Sequence, residues 1–196
     1  MIVIVDYRAG NLVSVKKAVN RVGSECAITS DPTEIDRAEK VIVPGVGHFA
    51  ATSALADTGL RTAIIRAIEC QKPFFGICVG MQWMFESSEE ALGVSGLGIF
   101  PGRCSHFPRQ VRAPHVGWNQ IEIQHGSRLL RGLTSGTFVY FTHSYRAPVV
   151  SDTVGCCSYG GQFSAAVERD YLFGVQFHPE KSADAGLIIL ENFCQL

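Results

Sequence analysis

The chain has 196 residues, 46% of them hydrophobic and 18% charged, with a formal net charge of -1 at pH 7. That balance gives no electrostatic basis for binding nucleic acid or an anionic membrane surface, and no apolar run approaches the ~20 residues of a membrane span. Seven cysteines, an odd number scattered from Cys26 to Cys194, do not form the even framework of a small secreted domain, so a reducing cytoplasm is the expected setting.

The opening Met1–Val5 is too short for a signal segment and is cut off by Asp6, so Ile2–Val5 reads as a first strand, apolar throughout like a central strand covered on both faces. Leu12, Val15, Val19 and Val22, which follow Gly10-Asn11, fall on one helical face. Cys26–Thr29 makes a second strand closed by an Asp31-Pro32 turn, and Val41–Val43 a third that runs into Pro44-Gly45-Val46-Gly47. A helix with the stripe Leu60, Ile64, Ile65 and Ile68 precedes the strand that begins at Phe74. After Glu86 the periodicity weakens, and a loop region is expected around Glu89-Glu90. From about His115 the signals turn β-like at Val116–Ile123, Phe138–Tyr145, Thr153–Cys157 and Ala165–Val167, and Leu172–Phe177 pairs as a hairpin across the Arg169-Asp170 turn. Leu187, Leu190 and Cys194 mark a last helix. The expected fold class is α/β, an open and mostly parallel sheet with flanking helices plus added antiparallel strands. With no repeat, linker or composition break, residues 1–196 read as one domain.

Phe74-Phe75-Gly76-Ile77-Cys78-Val79-Gly80-Met81-Gln82 carries the chemistry: an apolar strand, a sharp turn and a helix, with Cys78 at the apex. Glycines on either side let the backbone crowd together so that the cysteine projects clear of the sheet. The free N–H groups and dipole of the following helix favour thiolate over thiol. The alternative is a small buried hydrophobe, and a neighbouring base decides between the two. In open α/β sheets the site lies beyond the C-terminal strand ends, so Pro44–Gly47 is either an ordinary turn or a loop of free N–H groups suited to an oxyanion. His178-Pro179-Glu180 ends another apolar strand. In extended backbone residues i and i+2 point the same way, and Pro179 favours that geometry for His178. Glu180 then fixes the imidazole tautomer and leaves the other nitrogen for a thiol, the logic of a catalytic triad.

Other residues leave their readings open. Cys156-Cys157 is a vicinal disulfide, a metal fragment or, more simply, two buried strand thiols; no Cys-x-x-Cys or paired-histidine spacing supports a metal. His48, His106 and His125 read as surface or turn residues without a role. His143-Ser144-Tyr145 either offers polar groups to a ligand or contains a core tyrosine with a satisfied hydroxyl.

Taken jointly, Gly76-Ile77-Cys78-Val79-Gly80, His178-Pro179-Glu180 and Pro44–Gly47 resemble class I glutamine amidotransferases. The likeness narrows to the family of glutaminase subunits of imidazole glycerol phosphate synthase and covers essentially the full chain: Asp6-Tyr7-Arg8-Ala9-Gly10-Asn11-Leu12, Pro44–Gly47, Cys78–Gln82, Ser88-Glu89-Glu90, His115–Asn119, His143–Tyr145 and Phe177–Ser182. Arg8 stands where that family usually has glycine, and Val79 where leucine is common. The resemblance implies a flavodoxin-like fold, a place in histidine biosynthesis, and glutamine hydrolysis to glutamate and ammonia through a Cys78 thioester. By the same resemblance His178 shuttles the proton and Glu180 orients it. Gly45, Val46 and Gly47, with the Val79 N–H, form the oxyanion site, and Gln82, Glu90, Ser144 and Tyr145 surround the glutamine. It implies no cofactor and no metal. It also implies a heterodimer with a (β/α)8-barrel cyclase that takes up the ammonia through a closed passage, with Asn11, Trp118, Asn119 and Lys181 at the interface.

Rival readings are weaker. Pro44–Gly47 and His115–Asn119 argue against the pyridoxal phosphate synthase glutaminase and the anthranilate synthase small subunit. His178-Pro179-Glu180 at the final strand argues against a cysteine-elbow peptidase or deglycase, and the intact triad against a non-catalytic subunit.

Overall fold

The computed structural model describes residues 1–124 and 126–196, so His125 lies outside the described residues. Its first half alternates strand and helix: β1 (Ile2–Val5), α1 (Leu12–Arg21), β2 (Cys26–Thr29), α2 (Pro32–Arg37), β3 (Lys40–Gly45), α3 (Ser53–Asp57), α4 (Leu60–Glu69), β4 (Phe74–Cys78) and α5 (Val79–Gln82). The second half is mostly strand: β5 (Phe85–Ser88), β6 (Phe100–His106), β7 (His115–Ile123), β8 (Thr137–His143), β9 (Tyr145–Arg146), β10 (Thr153–Ser158), β11 (Gln162–Arg169) and β12 (Leu172–Val175), before the closing α6 (Ala183–Cys194).

The main sheet is nine-stranded in the order β2-β1-β3-β4-β12-β11-β10-β7-β8. Strands β2 through β12 run parallel, and β11 onward pair antiparallel. Every residue of β1 and β4 is buried, as continuous apolar runs in a sheet covered on both faces should be. No helix among the described residues is long and apolar enough to cross a membrane.

One expectation is corrected and two are sharpened. The Asp31-Pro32 turn opens a helix, because the Asp31 carboxylate accepts the Thr33 N–H at 2.8 Å and Pro32 sits at the first helical position. The loop expected around Glu89-Glu90 is present but is bounded by two strands the weakened periodicity did not show, β5 and β6, which pair in parallel and bury Phe85 against Phe100 with ring centroids 5.5 Å apart; Pro101 and Gly102 hide β6 from a pattern reading. The helix after Cys78 is one turn long, ending at Trp83. Its contribution to the cysteine is therefore the free N–H groups of that turn and not a long helix dipole. Cys156 and Cys157 are buried free thiols in β10, which settles their open reading.

The turn at Cys78 is set by two glycines. A Cβ on Gly80 would lie 1.8 Å from the Val43 carbonyl oxygen, and one on Gly76 would lie 2.6 Å from that of Gly80. Only bare backbone allows α5 to sit this tightly on β3 and β4. Cys78 itself takes φ 54, ψ -107, a conformation that L side chains adopt at a cost of ~1–3 kcal/mol and that surrounding packing must enforce. Arg8 also has positive φ, at 66. Glycine adopts that conformation freely, which gives a physical reason for glycine in the family it resembles.

At the far end of the sheet His115 and His143 face each other across β7 and β8. His115 stacks on Tyr159 and Phe141, and Phe107 and Phe163 close around both rings. Burial pushes the pKa of His115 down to about 4 and that of His143 down to about 3; the Tyr145 carbonyl pulls the latter back only slightly. Both rings are neutral in the folded protein.

Two predictions follow from this packing. Gly80→Ala should cost at least ~3 kcal/mol of stability, since its methyl group meets backbone and not a movable side chain; the shift of the urea midpoint measures it. In the unfolded chain the two histidines regain a pKa near 6.5, so between about pH 6.5 and 4 the unfolded state binds more protons. Stability should then fall with acidification through that window, by roughly 1.4 kcal/mol per pH unit for each histidine at most. Urea midpoints from pH 7 to 4.5 check this, and a flat profile would contradict the neutral pair.

Candidate active site

Strand register assembles the site. β3 and β12 flank β4, with Gly45 opposite Cys78 and Val175 opposite Ile77. The Pro44–Gly47 loop and the segment Gln176–Glu180 therefore leave the sheet on either side of the cysteine, at the C-terminal ends of parallel strands. Cys78 and His178 are buried, at 3% and 1% exposure.

His178 Nδ1 lies 2.9 Å from Glu180 Oε1, and both side chains are buried. The pair forms differently from the extended arrangement expected. His178 is extended (φ -101, ψ 99), but Pro179 opens a 3-10 turn over Pro179–Lys181 that curls the glutamate back onto the ring. Because the carboxylate takes Nδ1, the free ring nitrogen is Nε2, which is buried and makes no hydrogen bond. Burial works against charge on His178, yet the Cys78 sulfur and then Glu180 outweigh it and push the pKa up to about 10. The site favours the charged imidazolium of His178.

The loop that carries His178 is tied to β8, the last strand of the sheet. The His178 N–H donates to the Tyr140 carbonyl at 2.9 Å. The Ser182 hydroxyl accepts the Tyr140 N–H at 3.0 Å and donates to the His178 carbonyl at 2.6 Å. These bonds occupy backbone groups of an edge strand and fix the height of His178 above the sheet.

Gly47, Cys78, Val79, Gln82, Glu90, Thr142, His143, Ser144 and Tyr145 line one cleft. Its free volume is about 30 Å³, room for a water or two and far too little for a glutamine side chain. Occupation by an amide substrate therefore requires the cleft to open. Of the expected substrate and oxyanion residues, Gly45 and Val46 are not in the lining. Gly45 sits beneath the Tyr7 hydroxyl, which would be 2.5 Å from any Cβ placed there, and Val46 is exposed. Gly47, at φ 111, lines the cleft together with the cysteine. Glu90 Oε2 accepts the Phe49 N–H at 2.7 Å, which ties the wall of the cleft to the segment after the loop. Gln82 donates through Nε2 to the Tyr145 carbonyl and to Gln176 Oε1, leaving its own Oε1 free. All three residues of His143-Ser144-Tyr145 reach the cleft, and His143 is the buried one among them.

The expected interface residues gather on one side. Trp118 is half exposed, its ring edge-on to Tyr140 at 6.0 Å, and Lys181 Nζ lies 5.7 Å over the same tyrosine. Val116 and Phe138, exposed on the paired strands β7 and β8, extend the apolar face. Asn11 precedes α1, which packs on the Pro179–Lys181 turn. Asn119 points inward instead, Nδ2 to His115 Nε2 at 3.3 Å. His48 and His106 are exposed and stand apart from the cleft lining.

Sequence reasoning missed Gln176, Ser182 and Tyr7. Gln176 is a polar residue inside the apolar run before His178 and two positions from it, hence on the same side of extended backbone; that was its only signal. Ser182 reaches Tyr140 on β8, and the Tyr7 hydroxyl is buried over Gly45 without a hydrogen bond; nothing local announces either. Among the described residues no group of three or more His, Cys, Asp or Glu is placed to hold a metal ion.

Residues 3–195 match the family model for glutamine amidotransferase class-I. The chain is 46% identical to imidazole glycerol phosphate synthase subunit HisH of Moorella thermoacetica, over 100% of this chain and 94% of that one. It is also 46% identical to the subunit of the same name from Pyrococcus furiosus, over 100% and 98% of the two chains. Among solved structures, a glutamine amidotransferase superposes with a TM-score of 0.78 at 17% identity over the whole of both chains. PurLQS from Thermotoga maritima does so with 0.76 at 16% identity, over 99% of this chain and 97% of that one. The chain belongs to the class I glutamine amidotransferase family, whose α/β fold it shares, and within it to the relatives named as HisH subunits.

Proposed function

We infer that the chain is the glutaminase subunit of an imidazole glycerol phosphate synthase and acts, as one amidotransferase domain over residues 1–196, in histidine biosynthesis. The observation that carries the chemistry is the Nδ1–Oε1 contact of 2.9 Å between buried His178 and Glu180 beside the Cys78 turn. Full-length similarity to proteins named HisH carries the pathway.

The reaction runs in two halves. The Cys78 sulfur attacks the side-chain carbonyl carbon of glutamine, and the carbonyl oxygen takes the negative charge. N–H groups of Val79 and of Gly47, the loop residue that lines the cleft, receive it. As the C–N bond breaks, His178 delivers its Nε2 proton to the departing nitrogen, and ammonia leaves a glutamyl thioester. His178, now neutral, takes a proton from water; the hydroxide displaces the sulfur and glutamate is released. Glu180 keeps Nδ1 protonated and the ring in place throughout. Gln82, Glu90, Ser144 and Tyr145 hold the amino-acid end of the substrate, where the Glu90 carboxylate suits its ammonium group.

Ammonia set free in neutral water becomes mostly ammonium, which is no nucleophile, so the chemistry supports a closed transfer to a partner. The partner in this reading is a (β/α)8-barrel cyclase docked on the face of Trp118, Tyr140 and Lys181, with Asn11 and Asn119 nearby. A half-exposed tryptophan beside exposed Val116 and Phe138 suits such a contact. The setting is cytoplasmic.

Cys78→Ala or Cys78→Ser should abolish glutamine hydrolysis while leaving the fold and partner binding intact, read by glutamate release alongside size-exclusion chromatography with the cyclase. Substantial hydrolysis by either variant refutes the mechanism. The chain alone should hydrolyse glutamine slowly, because its cleft is closed, and should accelerate at least tenfold with cyclase and its nucleotide ligand; fast turnover that ignores the partner would count against the assignment.

A further inference from the structure

One buried side chain touches the reacting sulfur and has no part in the steps above. Gln176 is fully buried, and its Nε2 lies 3.7 Å from Cys78 Sγ. Which end of an amide faces a neighbour is decided by the network around it, and here a backbone group makes the decision. The Tyr145 carbonyl can only accept, so the Gln82 atom 2.8 Å from it must be nitrogen. That nitrogen's second hydrogen reaches the Gln176 amide at 3.0 Å, so the nearer Gln176 atom must be oxygen. The remaining end of Gln176, the end at the sulfur, is then NH2. Turning either amide over would set oxygen against the Tyr145 carbonyl or NH2 against NH2. His143 Nδ1, 2.8 Å from the same carbonyl, donates a second hydrogen bond and keeps that peptide in place.

We propose that Gln176 is a further catalytic residue, its Nε2–H donating to the Cys78 sulfur, and that Gln82 is a positioning residue that decides which end of Gln176 the sulfur meets. This rests on Cys78 being the nucleophile. A donor aimed at a sulfur favours its charged form over the thiol and fixes the direction from which it attacks. The donor is shut away from water, which would otherwise compete for the bond. Gln82 thereby serves two ends, with its nitrogen spent on orienting Gln176 and its oxygen left for the substrate. The titratable groups around the sulfur are His178 with Glu180, from the segment after β12, Tyr7, from the segment after β1, and, across the cleft, Glu90 from the turn after β5 and His143 and Tyr145 from β8 and β9.

The test is the ionisation midpoint of Cys78, followed by the ultraviolet absorbance of its thiolate as the difference between each protein and its Cys78→Ala counterpart. Gln176→Leu should raise the midpoint by about one pH unit. Gln82→Met should raise it by less, since Gln176 would then present either end. Thermal melting establishes that each variant is folded, and Gln82→Met carries the test if Gln176→Leu does not fold. An unchanged or lowered midpoint in a folded variant overturns the roles of Gln176 and Gln82. It leaves the Cys78 mechanism standing, because that is decided separately by glutamine hydrolysis in the Cys78→Ala complex.

Discussion

Gly80 packs on the Val43 carbonyl with no space for a methyl group, and the chemistry of the protein hangs on that contact. It lets a one-turn helix start immediately after β4, which forces Cys78 into positive φ and lifts its side chain out of the strand. With any side chain at Gly80 the turn would have to rise off the sheet. The sulfur would then leave the reach of both flanking strand ends. The tight turn is therefore the reference point from which the other distances around Cys78 are set.

Those distances come from two kinds of support. Parallel register carries the Pro44–Gly47 loop and the His178 segment to either side of the cysteine, a placement accurate to a strand end. The finer adjustment comes from buried polar groups: Glu180 on Nδ1, Ser182 and Tyr140 on the His178 backbone, and Gln82 on Gln176. Each is sheltered from water, where a hydrogen bond holds its geometry more firmly than at a surface. His178 Nε2 and Glu180 Oε2 are buried without partners. A buried polar atom left unpaired costs ~1–3 kcal/mol, so the resting site holds unspent hydrogen-bonding capacity on both members of the pair.

What the sequence made legible was what lay close together in it. The turn at Cys78 announced itself through two glycines and an apolar run, and His178 with Glu180 through adjacency, even though the Pro179 turn and not extended backbone brings them together. The parallel strands were readable because burial on both faces leaves unbroken apolar runs such as Ile2–Val5 and Phe74–Ile77. β6 was not, since Pro101 and Gly102 interrupt it and only pairing with β5 and β9 makes it a strand. Gln176 and Ser182 were illegible for the same reason at the level of side chains. Their meaning lies in Cys78 and Tyr140, which the fold supplies from other strands. The helix expected after Cys78 is there, and it stays one turn long because β5 begins at Phe85.

The Ser182 hydroxyl has a consequence for how the protein keeps company with other molecules. β8 is the terminal strand of a nine-stranded sheet, and such edges invite pairing with stray strands of other chains. Here the N–H and carbonyl of Tyr140 are taken by the very segment that holds His178. The loop that sets His178 against Glu180 thus also caps the sheet, and disorder in it would threaten colloidal stability as well as the geometry of the cleft.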